Sequence, residues 1–134
     1  MPIYWTIDSR TRLLSVRAEG EVSLADALAL LEAMSGANAL SYRKLFDGRT
    51  AESLMSGDEI LTLCAAIRSY HAKGGPMGAL AIVATPDQTG LFARLLGALA
   101  AADRRMRVFD SLRQARGWLE SQAEPANRMD ADEA

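Results

Sequence analysis

The chain has 134 residues, 49% of them hydrophobic, and a formal net charge of −2. That length fits one domain, and the composition supplies enough apolar material for a core. The near-neutral balance gives no push toward nucleic acid, where a basic stripe is expected, and a single cysteine, Cys64, excludes an internal disulfide.

Ile3, Trp5 and Ile7 alternate with polar or exposed-type residues, which predicts a strand with one buried face. Ser9 to Arg12 is a polar turn. Leu14, Val16 and Ala18 alternate again until Gly20. The two runs predict an antiparallel hairpin. Ser23 is a candidate N-cap, with Asp26 placed to favour the first turn. Leu24, Ala27, Leu28, Leu31 and Met34 share one face of the helix that follows, and Gly36 suits its C-cap. A short strand is expected at Arg43 to Asp47.

Ser56 and Glu59 form the S-x-x-E capping box of a second helix, which runs to about Lys73 before Gly74-Gly75-Pro76 stops it. Ala79 to Ala84 is apolar throughout, as in a central strand covered on both faces. After a turn at Thr85-Pro86-Asp87, a third helix is expected over Thr89 to Ala102, then a strand at Met106 to Phe109. Asp110-Ser111 caps a last helix with Leu112, Ala115, Trp118 and Leu119 inward. The order β-β-α-β-α-β-α-β-α predicts a single α/β domain over residues 1–119, with a mixed, mostly parallel sheet packed by helices. Residues 120–134 carry five acids against Arg128 and are expected to be a disordered acidic tail.

Four stretches carry a family resemblance. They are Gly20-Glu21-Val22-Ser23, Leu45-Phe46-Asp47, Thr89-Gly90-Leu91-Phe92-Ala93-Arg94, and the run from Val108 to Leu119 with its Trp118-Leu119 pair. In this order, over about residues 3–119, they resemble the STAS domains of anti-sigma-factor antagonists. The nearer likeness is to their small bacterial SpoIIAA-like relatives, grouped with the CRAL-TRIO fold. The resemblance implies a non-catalytic regulatory or protein-interaction module. In STAS antagonists a partner kinase phosphorylates a serine at the start of the helix after the third strand. Ser56-Gly57 stands at that place here, preceded by Leu54-Met55 where the family carries Asp-Ser.

In open α/β sheets, ligands gather beyond the carboxyl ends of parallel strands. Those ends offer Asp47 and Thr50, Thr85, and Asp110. The working surface expected from this is the loop 48–55, including Ser53, with the helix start at Ser56. Thr89 and Arg94 open the third helix, where free N–H groups suit an anion. Ser56, Thr89 and Ser111 are also ordinary caps, Asp47 an ordinary loop acceptor and Arg94 an ordinary surface cation. Asp47 and Asp110 would form a carboxylate pair if their strands were neighbours, and a raised pKa would mark it. His71 and Cys64 read as structural, two turns apart on one helix face.

The expected partner is a protein. The alternative is a small anionic or lipid ligand in a pocket between the sheet and the helix faces bearing Ile60, Cys64, Ile67, Phe92 and Leu96. No cofactor, metal, nucleic acid, stable membrane insertion or enzymatic activity is expected, and the compartment is expected to be cytoplasmic. A homodimer through Tyr4, Trp5 and the outward side of the hairpin remains open, provided the first strand lies at an edge.

Overall fold

In the computed structural model, residues 3–53, 55–74, 77–88 and 105–122 are described. β1 (Ile3–Asp8) pairs antiparallel with β2 (Leu13–Val22) in the register Ile3↔Ala18, Trp5↔Val16 and Asp8↔Leu13. The hairpin turn holds because the Asp8 carboxylate accepts N–H bonds from Arg10 (2.9 Å) and Thr11 (3.2 Å). Arg12 takes the left-handed conformation that closes the turn (φ 55°).

α1 (Leu24–Gly36) opens on a reciprocal capping box. The Ser23 hydroxyl accepts from the Asp26 N–H (3.2 Å), and the Asp26 carboxylate accepts from the Ser23 N–H (2.9 Å). Leu30, Leu31 and Met34 are buried, with Leu24, Ala27 and Leu28 packed beside them. The helix continues through Gly36, and Asn38 takes the left-handed conformation beyond its end (φ 55°).

α2 (Gly57–Gly74) starts on the Ser56–Glu59 box read from the sequence. Ser56 N–H donates to Glu59 Oε1 (3.1 Å), and Glu59 N–H donates to Ser56 Oγ (3.2 Å). β4 (Leu80–Val83) is central and nearly all buried, as its unbroken apolar run requires. The chain reaches β4 through Gly78, where a Cβ would run into the Tyr42 carbonyl, so only glycine fits. β5 (Met106–Phe109) leads to α3 (Leu112–Glu120), capped by the Ser111 hydroxyl. The helix expected over Thr89 to Ala102 and the acidic tail from residue 123 lie outside the described residues.

The strands lie in the order β1-β2-β3-β4-β5, with β2 through β5 parallel and β1 antiparallel at one edge. Successive right-handed crossovers in one direction put α1 and α2 on the same face. The core there joins them to Ile3, Leu14, Val16 and Ala18. α3 covers the opposite face, where Ala115 and Leu119 pack on Leu45, Ala79, Ala81 and Val83. Its main contacts are with β3 to β5, and of β2 only Leu13 packs on the same cluster, so most of the β1–β2 half of that face has no helix over it among the described residues. No described helix is long and apolar enough to cross a membrane.

β3 (Arg43–Ser53) differs most from expectation. It runs to Ser53 instead of ending at Asp47, pairing with β2 as far as Val22↔Ser53. The expected loop 48–55 is therefore mostly strand. Among the described strands its outer half pairs with β2 alone, because β4 stops level with Asp47.

Candidate functional site

The register sets the site. Asp47 pairs with Val83, and Val83 with Phe109, so Asp47 sits at the level where β4 and β5 end. Asp110 follows one residue later, on the far side of β4. Two strand spacings separate their strands, about 10 Å. The anticipated Asp47–Asp110 carboxylate pair is therefore not formed. Ser53 lies six residues further along β3, about 20 Å at the usual strand rise, and Ser56 lies beyond it. Asp47 and Ser56 thus belong to separate regions, and Ser56 acts as the α2 cap.

Between Arg17↔Asp47 and Glu19↔Thr50, β3 advances three residues while β2 advances two. This is a β-bulge with one extra residue on β3. Bulges re-aim side chains locally. Here it brings Asp47, Arg49 and Thr50 onto one surface within four positions. The Thr50 hydroxyl donates to the Ala18 carbonyl opposite the bulge (3.1 Å).

Arg49 grips Asp47 with two parallel bonds, Nε to Oδ1 at 3.0 Å and Nη2 to Oδ2 at 2.9 Å. The Arg49 N–H also donates to Oδ1 (3.2 Å). The guanidinium bond holds the Asp47 pKa below the ordinary carboxylate value, against an opposing push from partial burial. That direction is opposite to the one a proton-donating carboxyl would show. Asp47 is a fixed negative charge.

These residues line a groove of about 780 Å³ on the half of the sheet that α3 leaves open. Its floor is Tyr4, Thr6, Ser15 and Arg17 of the hairpin, and its α3 wall is Leu112 and Arg116. Arg17 pairs with Glu19 (3.1 Å) and lies over the Tyr4 ring (5.5 Å). Arg116 forms no ion pair with the described residues, so the groove keeps one uncompensated positive charge.

Gln88, in the 3₁₀ turn Pro86–Gln88, fixes the outer half of β3. Its Oε1 accepts from the Thr85 N–H (2.8 Å), and its Nε2 donates to the Gly48 (2.7 Å) and Ala51 (2.8 Å) carbonyls. It supplies the partners β4 no longer provides. Thr85 is therefore part of this clamp. Asp110 is exposed at the bend before α3. Thr89 and Arg94 lie outside the described residues, and Ser53 is described only as the last residue of β3.

On the opposite face a smaller cavity of about 170 Å³ lies between the sheet and α1–α2. Leu63 and Ile67 line it where Ile60, Cys64 and Ile67 were expected, and Phe92 and Leu96 lie outside the described residues. Lys44 also lines it, only 3% exposed, with Nζ donating to the Leu40 (2.5 Å) and Tyr42 (2.8 Å) carbonyls. Cys64 is fully buried, and burial pushes its thiol pKa up. Among the described residues no three His, Cys, Asp or Glu side chains converge as a metal site.

Sequence reasoning named Asp47 and Thr50 but missed Arg17, Arg49, Gln88 and Arg116. The Asp47–Arg49 spacing was a usable signal, since residues two apart on a strand share a face.

No family model matches the chain, and no curated protein matches it. Among solved structures, it is similar to an uncharacterised protein of the DUF3478 family from Shewanella loihica PV-4, which has a SpoIIAA-like fold. The TM-score is 0.61 at 18% identity, over 87% of this chain and 93% of that one. The described strands and helices together with this match establish that the chain has the SpoIIAA-like α/β fold.

Proposed function

We propose that the chain is a non-catalytic interaction module of STAS-like type that holds a segment of a protein partner in the open-face groove. The observation that carries this reading is the bulge in β3, which gathers Asp47, Arg49 and Thr50 on a stretch of sheet that no described helix covers. Asp47 and Arg49 neutralise each other in a bidentate pair, so they present directional polar edges without a large net field. Arg116 adds a cation, with no ion pair among the described residues, to a groove that Leu112 and Tyr4 also line. A segment carrying a carboxylate and an apolar side chain complements that surface. The depressed pKa of Asp47 speaks against general acid work by that carboxyl, which needs the opposite shift.

The test is a photo-crosslinking amino acid placed at Ser15, in the groove, or at exposed Leu61, on α2. Both proteins are irradiated in lysate of the producing cells. A discrete adduct at Ser15 and none at Leu61 supports the groove. Equal labelling at both positions, or labelling at Leu61 alone, refutes it.

A second reading, a small-ligand binder, is favoured by the cavity against α1 and α2. An apolar cavity of about 150 Å³ accommodates benzene, so this one takes a compact apolar molecule and is too small for an extended lipid chain. A thermal midpoint raised by saturating benzene or indole supports this reading; an unchanged midpoint removes it.

A further inference from the structure

The two edges of the sheet are unlike. β5 is four residues long and carries Arg107 near its middle. Short length and an edge charge are the ordinary means by which a sheet avoids pairing with a second chain. β1 has neither. It is six residues long, and Ile3-Tyr4-Trp5-Thr6-Ile7 contains no charge and no proline before Asp8. Its one extensive partner among the described elements is β2, so its outer edge has no described strand beside it.

We infer that two copies of this chain pair through β1, edge to edge and antiparallel, joining two five-stranded sheets into one. The sequence of β1 is self-complementary for this. A two-fold axis normal to the sheet keeps the core face of one copy in line with the core face of the other. It therefore opposes residues of the same parity. With the axis through Trp5, Trp5 meets Trp5 of the second copy and Ile3 meets Ile7 on the core face. Tyr4 meets Thr6 on the open face, and both Asp8 carboxylates fall outside the paired run.

Burial supports this arrangement. Trp5 and Ile7 pack against the main core cluster yet remain half-buried, which places apolar surface at the rim of that core. A second β1 covers that rim and continues the same apolar layer. On the open face Tyr4 is 48% exposed. It stands in the groove floor beside Thr6, so pairing sets the two grooves side by side on one surface. The pairing itself rests on the edge and does not depend on what the grooves hold.

The test is sedimentation of the full chain from low to high concentration, with Thr6→Lys and Thr6→Val beside it. The wild type is expected to reach twice the 14.5 kDa of one chain. Thr6→Lys sets an ammonium beside the second copy's Tyr4 and the Arg17 that lies over that ring, and dimerisation is expected to weaken at least about tenfold. Thr6→Val, a better strand former, is expected to keep the dimer. Hydrogen exchange on the wild type gives an independent reading. Amides of β1 gain protection as concentration rises, while those of β5 do not. A wild type that stays monomeric at the highest attainable concentration overturns the inference. So does a dimer that Thr6→Lys leaves intact, or one whose formation protects no β1 amide.

Discussion

Gln88→Ala tests what holds the outer half of β3 in place. The Gln88 amide makes three hydrogen bonds of 2.7–2.8 Å, to the Thr85 N–H and to the Gly48 and Ala51 carbonyls. Gly48 is buried, so its carbonyl cannot fully recover its bond from water. At about 1 kcal/mol net for each bond, truncation is expected to cost roughly 2–3 kcal/mol. Urea unfolding with linear extrapolation measures this directly, provided the m-value is unchanged. The thermal midpoint should fall by about 4 °C for each kcal/mol.

Gln88→Glu sharpens the test. It keeps the shape but turns an acid toward two carbonyls that need a donor. Its folded pKa is therefore raised above the unfolded value, because only the protonated form can donate. The sign follows: the variant is most stable at pH below its unfolded pKa, and it loses stability as pH rises through the folded pKa. Its deficit relative to wild type should be larger at neutral pH than in mild acid. A cost below about 0.5 kcal/mol for Gln88→Ala, with no pH dependence for Gln88→Glu, would mean that the clamp does not hold β3.

Arg49→Ala should move the Asp47 carboxyl upward in an NMR titration, since the guanidinium bond is the main cause of its depression. The stability from Asp47 is present above its unfolded pKa and lost as pH falls through the depressed folded value, so the wild-type advantage over Arg49→Ala should vanish in acid. Ser56→Ala should cost about 1 kcal/mol through the lost cap, whereas Ser56→Asp should keep most of it, both read by chemical denaturation. Cys64 should react with a thiol reagent orders of magnitude more slowly in the folded protein than in urea, because it is fully buried and its pKa is raised; fast native labelling would contradict its burial.

The hairpin, the capped helices and the central β4 were legible in the sequence because apolar burial writes a period into the residues. Ile3, Trp5 and Ile7 with Leu14, Val16 and Ala18 do line one face. The outer half of β3 was not legible. Arg49, Thr50 and Glu52 are exposed and carry no hydrophobic period; of that stretch Ala51 packs on the core, and backbone pairing to β2 and the Gln88 amide hold the rest. Gly48 reads as a strand end, yet it is part of the bulge. Lys44 shows a different failure. Alternation assigns it to the core face with Phe46, but its charge argues against that until the Leu40 and Tyr42 carbonyls are in view. The groove itself depends on which strands α3 crosses, and local pattern carries no such information.

If the groove beside α3 is the working surface, crosslinking from Ser15 depends on Arg116. The most direct test is the Ser15 crosslink repeated in an Arg116→Glu background, with a thermal melt to show that the variant folds. Arg116 is exposed and forms no ion pair with the described residues, so the reversal should leave stability nearly unchanged. The Ser15 adduct is expected to fall about tenfold, the effect of losing roughly 1.4 kcal/mol of attraction. An adduct that forms with undiminished yield would contradict that role for the groove.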